Sequence, residues 1–139
     1  MLMKRLKVLA VDSQYLIGMD VERILGDAFG CAVTVATPLI AKKLVRRHQY
    51  DLAVLNFCES QLDFHANVDL VRGSASHLIF SVADRAYLSG IPGYEGVPVV
   101  LKPFHSETLE TIVMSLFNPA HMAGPNHGLC DRFTSSPNC

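Results

Sequence analysis

The sequence has no surplus of either charge: Lys and Arg number 12, Asp and Glu 13, for a formal net charge of −1. No Lys/Arg block stands out beyond the short stretch AKKLVRR, Ala41 to Arg47. Nucleic acids and anionic membrane surfaces are held through broad positive patches, so both are excluded as general partners. No apolar run approaches the length of a membrane span. The opening MLMKRLKVLAV is basic and then apolar, as a secretory leader is. The apolar run is too short, Asp12 interrupts it and no small-residue cleavage site follows. A cytoplasmic protein is expected.

Cys31, Cys58, Cys130 and Cys139 include no Cys-x-x-Cys pair. The tail residues His121, His127, Cys130 and Cys139 fit no zinc spacing, so scattered thiols in a reducing compartment are the simpler reading. The segment DSQYLI after the first apolar run lacks the glycines of a dinucleotide cradle. There is no Gly-x-Ser-x-Gly elbow that would make Ser13 a nucleophile.

What is present is core-forming material. Of 139 residues, 50% are hydrophobic and 18% charged, enough for one packed domain. Two periodicities alternate along it. LKVLAV (Leu6 to Val11), CAVTVA (Cys31 to Ala36), DLAVLN (Asp51 to Asn56), HLIFSV (His77 to Val82) and VPVVL (Val97 to Leu101) are short, apolar and rich in β-formers. Between them the apolar spacing turns helical. Ile17, Val21, Ile24, Leu25 and Ala28 predict a first helix stopped by Gly30; Thr37 and Pro38 cap and open a second through Leu44 and Val45. After a loop over residues 57 to 65, a short helix is expected near Val68 to Arg72. One or two turns precede Gly90, Pro92 and Gly93, and Ser106 caps a last helix with Leu109, Ile112, Val113 and Leu116 on one face.

Five alternations of strand and helix predict an α/β domain with a parallel sheet and helices on both faces. Unbroken rather than alternating apolar strands agree, because parallel strands are buried on both sides. From Asn118 the composition shifts to Asn, Pro, Gly, Ser and His, so residues 1–117 are read as the domain and 118–139 as a disordered tail.

Three stretches resemble a known family. VLAVDSQYLIGMDVERIL is similar to the opening of a response-regulator receiver domain, the module of two-component signalling. DLAVLN resembles its third strand, and VPVVLKPF its fifth, with the Lys-Pro-Phe signature. The resemblance spans residues 6 to 117 and implies a flavodoxin-like five-stranded sheet in the order 2-1-3-4-5. It also implies a pocket in which an aspartate ending strand three accepts a phosphoryl group, beside two acidic residues that bind magnesium. A Thr or Ser ends strand four, and the lysine of the signature contacts the phosphoryl group.

Carried over position by position, the pocket is depleted. The acidic pair falls on Asp12 and Ser13, and the phosphoacceptor on Asn56. The hydroxyl position falls on Val82, or on Ser81 if the strand ends one residue earlier; the small residue after it is Ala83. The aromatic position of strand five falls on Val99, while Lys102 and Pro103 are kept. An acyl phosphate requires a carboxylate nucleophile, which an amide cannot replace. Magnesium seeks anionic oxygens, so Asp12 alone implies weak binding at best and no cofactor is expected. Lys102 has three readings: an ion pair with Asp12, a hydrogen bond to Asn56, or simply part of a required turn. Asp12 itself could cap the first helix. Cys58, His65, His77 and the Asp63, His65, Asp69 grouping are read as structural or surface residues.

The resemblance therefore implies a stand-alone, non-enzymatic pseudo-receiver that signals by phosphorylation-independent protein binding. The chain ends too soon after the last helix for a DNA-binding module. The implied partner is a histidine kinase, a phosphotransfer protein or another regulator. The family's interaction face of fourth helix, fifth strand and fifth helix maps to Ala83–Gly90, Val97–Leu101 and Ser106–Phe117, with Val99, Leu101, Leu109 and Val113 as its residues and as a face for a homodimer. The alternatives are a conventional phosphorelay receiver and a flavodoxin-like small-ligand binder using the emptied pocket.

Overall fold

In a computed structural model, residues 5–58 and 63–117 are described. Five strands, β1 (Lys7–Val11), β2 (Ala32–Ala36), β3 (Tyr50–Asn56), β4 (Ala75–Val82) and β5 (Val99–Leu101), pair in parallel in the order β2-β1-β3-β4-β5. Four α-helices join or follow them: α1 (Tyr15–Phe29), α2 (Pro38–Leu44), α3 (Phe64–Arg72) and α4 (Ser106–Phe117). This is the flavodoxin-like order, and parallel pairing brings all five strand C-termini to one end.

Because strand side chains alternate between faces, one strand supplies two cores. Val8, Ala10, Leu52, Val54, Ile79 and Val100 point to the face covered by α1 and α4, where they meet Val21, Ile24, Leu25, Leu109 and Val113. Leu9, Ala53, Leu55, Leu78, Phe80 and Val82 point to the opposite face, where α2 and α3 supply Ala41, Phe64, Val68 and Val71. Burying each such aliphatic side chain contributes roughly 1.5–3 kcal/mol.

Local signals set the helix ends. Gly30 adopts a left-handed φ of 68° and its N–H closes on Gly26 O at 2.9 Å, ending α1. Thr37 Oγ1 accepts from the Ile40 N–H at 3.4 Å, with Pro38 as the first residue of α2. Inside α1, Gly18 faces β2 so closely that an added Cβ would lie 2.4 Å from Val35 Cγ1.

Several expected boundaries shift. Helix α3 begins at Phe64 rather than near Val68, β3 and β4 each start earlier, and β2 starts one residue later. Strand β5 starts at Val99 rather than Val97: Pro98 has no N–H to donate, and the Val97 N–H turns back to Tyr94 O at 3.2 Å. Helix α4 begins on Ser106 itself, so Ser106 is its first residue rather than its cap.

The largest change lies between β4 and β5. The expected helix over Ala83 to Gly90 is a single 3-10 turn, Arg85–Tyr87. Asp84 Oδ1 accepts from the Ala86 N–H at 2.9 Å and starts the turn. Gly90 and Gly93, at φ 132° and 90°, take the chain out of helical space. Ile91 and Tyr94 then plug into the α2–α3 face, buried like core residues. The anticipated tail 118–139 and its His and Cys residues lie outside the described residues, as do positions 59–62 of the loop after β3.

Candidate functional site

The C-terminal ends of β1, β3 and β5 bring three polar side chains together. Asp12 follows β1 and is only 4% exposed. Its Oδ1 accepts the Gln14 N–H at 2.8 Å, fixing the chain where α1 begins. Its Oδ2 accepts from Lys102 Nζ at 3.0 Å. The same ammonium donates to Asn56 Oδ1 at 2.7 Å, so Lys102 bridges the ends of β1 and β3 from a position just past β5. Its own N–H is held by Val82 O at 2.7 Å, and the Lys102-Pro103 peptide is cis.

The charges balance. One carboxylate faces one ammonium, and the third member is a neutral amide. The ammonium faces Asn56, so the oxygen of the amide must point to Lys102 and its NH2 must point away. Both Asp12 oxygens already have donors. Magnesium would have to displace Lys102 and find further anionic oxygens, while Ser13 and Asn56 supply none. The donor set does not fit the metal. Among the described residues no group of three His, Cys, Asp or Glu side chains is arranged to hold a metal ion.

The remaining sequence candidates scatter around this bridge. Ser13 and Ala83 are exposed, as is Pro103. Strand β4 runs through Val82, so the shorter strand that would have ended on Ser81 is not adopted. Ser81 is nevertheless the residue in register with Asn56, and it is buried. Val82 faces the α2–α3 side and joins that core.

The expected interaction surface needs correction. Val99 and Leu101 pack at the edge of the α2–α3 face, whereas Leu109 and Val113 lie in the core of the α1–α4 face. The sheet separates the two pairs, and Leu109 and Val113, 0% and 2% exposed, have no surface to offer a partner. The helical apolar stripe of α4 is its core-facing stripe. Among the described residues, the exposed large apolar side chains within the expected segments are Leu88 and Met114; the others lie elsewhere, Tyr15, Leu16 and Met19 at the start of α1 and Leu39 and Ile40 at the start of α2. Both starts follow adjacent strands and sit at the same end of the sheet as Asp12 and Asn56.

The Asp63, His65, Asp69 grouping does not converge. Asp63 pairs with Lys42 across α2 and α3 at 3.6 Å on the surface. His65 stacks on Tyr94, with Nδ1 2.5 Å from the phenol oxygen. Burial raises the Tyr94 pKa, Asp69 adds to this and Arg72 opposes it. His77 sits edge-on to Phe117, and Cys58 is exposed.

One feature had no signal in the sequence: a cavity of about 320 Å³ between α2 and α3. Leu55, Ala41, Phe64 and Val68 form its walls; Ser13, Asn56 and Lys42 stand among its polar lining. Such a void depends on how far apart two helices pack, which no spacing pattern records.

No protein-family model and no curated protein sequence matches the chain. Solved structures do. A response regulator receiver protein from Sinorhizobium medicae WSM419 is 22% identical with a TM-score of 0.67, covering 84% of this chain and 97% of that one. A two-component response regulator from Clostridium difficile is 17% identical with a TM-score of 0.69, covering 86% and 100%. The receiver domain of Francisella response regulator 1452 is 21% identical with a TM-score of 0.62, covering 81% and 96%. At these identities the likeness is one of fold.

Proposed function

We propose that this receiver-fold chain is a non-enzymatic pseudo-receiver, acting in signal transduction by binding a protein without accepting a phosphoryl group. The observation that carries this reading is the Lys102 bridge to Asp12 and Asn56. Lys102 stands where the resemblance places the phosphoryl-contacting lysine, and its ammonium is already engaged by two side-chain oxygens. Asn56 offers no carboxylate to phosphorylate, Ser13 no second carboxylate for a metal and Val82 no hydroxyl. The pocket is thereby held in one arrangement by neutral and paired groups.

Binding through the apolar side chains that open α1 and α2, Leu16 above all at 75% exposure, replaces the surface suggested by the family pattern. These side chains stand at one end of the sheet, those of α1 on one face and those of α2 on the other, and give a partner two apolar contacts there. The partner class implied is another protein of two-component signalling, in the compartment where that signalling runs. Among the described residues no helix is long and apolar enough to cross a membrane.

The test is incubation with magnesium and acetyl phosphate, or beryllofluoride, followed by intact mass and NMR amide shifts. The expected result is no added phosphoryl mass and no shift at Asp12, Asn56 or Lys102. A stable adduct with shifts reaching β5 would overturn the reading in favour of a conventional phosphorelay receiver.

A further inference from the structure

Lys102 is engaged by Asp12 and Asn56, and beside that bridge, under β1 and β3 on the α2–α3 face, lies an open crevice that Ser13 and Asn56 also line. It lies where the strand order changes direction, between β1 and β3, outside their carboxyl ends. Open α/β sheets place their ligand crevices at that point.

Its size and lining restrict what could enter. A cavity of about 150 Å³ lined by aliphatic and aromatic side chains takes one benzene. At about 320 Å³ this one holds a ring and a substituent. Its walls, Leu55, Ala41, Phe64 and Val68, are apolar and buried, so they favour a hydrocarbon body over ordered water.

The polar lining restricts the head group. Lys102 holds the Asn56 oxygen, so the amide NH2 is the half of Asn56 left to be addressed. Ser13 adds a hydroxyl and Lys42 an ammonium. The Lys42 pair with Asp63 is exposed and 3.6 Å long, and such pairs hold weakly. Among the described lining residues none is a carboxylate. Asn67 adds an amide and Cys58 a thiol, so Lys42 carries the one full charge among the described lining residues and selects an anionic acceptor.

We infer that this crevice is a binding site for a small aromatic carboxylic acid, its ring between α2 and α3 and its carboxylate on Asn56, Ser13 and Lys42. A ligand there would touch the Lys102–Asp12 bridge through Asn56, putting a diffusible acid in the position of an input. The site stands whether or not a protein partner is bound, so it is tested on the chain alone.

Phenylacetate and its uncharged counterpart toluene are titrated into the full chain, with amide shifts recorded by NMR. Saturable phenylacetate shifts at Ala41, Leu55, Phe64 and Val68 are expected, with toluene about tenfold weaker. Asn56→Asp and Lys42→Glu, both at partly exposed positions, are expected to weaken phenylacetate about tenfold and leave toluene within about twofold. Val68→Phe, filling the cavity, is expected to abolish binding of both. Equal binding of phenylacetate and toluene, or no loss in the two charge variants, would overturn the acid assignment. No saturable shift with either probe at millimolar concentration would overturn the site itself. Neither result bears on phosphoryl transfer, which acetyl phosphate tests separately.

Discussion

Lys102 Nζ lies 2.7 Å from Asn56 Oδ1 and 3.0 Å from Asp12 Oδ2, so one side chain from the end of β5 ties together the ends of β3 and β1. The residues are 46 and 90 positions from Lys102 in the chain. Asp12 is 4% exposed and the Lys102 side chain 14%, so the bond is shielded from water and from salt.

Removing Lys102 should therefore cost more than a surface pair would. Lys102→Met leaves a buried carboxylate without its cation and is expected to destabilise the fold by about 3 kcal/mol. Asp12→Asn in the same chain should restore much of that loss, because the uncompensated charge is gone. Urea unfolding of both variants and the double variant measures the coupling. Simple addition of the two single effects would show that the bridge contributes nothing.

Gly18 is the place where helix propensity and packing oppose each other. Alanine in a helix interior is favoured over glycine by about 1 kcal/mol. At Gly18 the new methyl would meet Val35 Cγ1 at 2.4 Å, and a β-branched valine has little χ1 freedom to yield. Gly18→Ala is expected to be net destabilising, by about 1–2 kcal/mol. Gly26→Ala, with open space around it, should stabilise instead. Thermal unfolding of the two variants separates the effects by their opposite signs.

Alkaline pH should weaken the fold through buried phenols. Burial raises the pKa of Tyr94 and of Tyr50 above the ordinary 10.0. Above that value the unfolded chain loses phenolic protons that the folded chain still holds, so stability is full below pH ~10 and falls as pH rises past it. Burial raises the Cys31 thiol from 9.0 in the same direction, with Asp51 adding and Arg5 opposing. Urea midpoints between pH 8 and 11 should decline in the native chain. In Tyr94→Phe, which also loses the contact to His65, the decline should be shallower from a lower start.

Leu109 and Leu16 should behave as opposites. Leu109 is fully buried against α1 and the sheet, and Leu109→Ala is expected to cost about 3 kcal/mol. Leu16 is 75% exposed, and Leu16→Asp should change stability by less than about 0.5 kcal/mol. If α1 carries the partner, Leu16→Asp alone lowers binding in a direct titration. A stable, soluble Leu109→Ala with normal unfolding would instead restore Leu109 to the surface.

Much of this molecule follows from the chain read alone. Apolar runs of strand length, helical stripes between them, Gly30 and Thr37-Pro38 are local signals, and each acts within a few residues. Repeated strand–helix alternation leaves few topologies, because parallel strands require crossovers and crossovers have one hand. The retention of Lys102 and the absence of a carboxylate at position 56 were legible in the same way. What lay beyond the sequence depended on distance in space. Gly90, Pro92 and Gly93 warned of a short fourth helix, but only the burial of Ile91 and Tyr94 decided that a single 3-10 turn would remain. The stripe of Leu109 and Val113 has the same spacing whether it meets a partner or the sheet, and packing on the α1 face made it core. Three readings of Lys102 were open until β1, β3 and β5 ended side by side, when one ammonium could reach both Asp12 and Asn56. The cavity between α2 and α3 belongs to neither helix, so tertiary packing alone could create it.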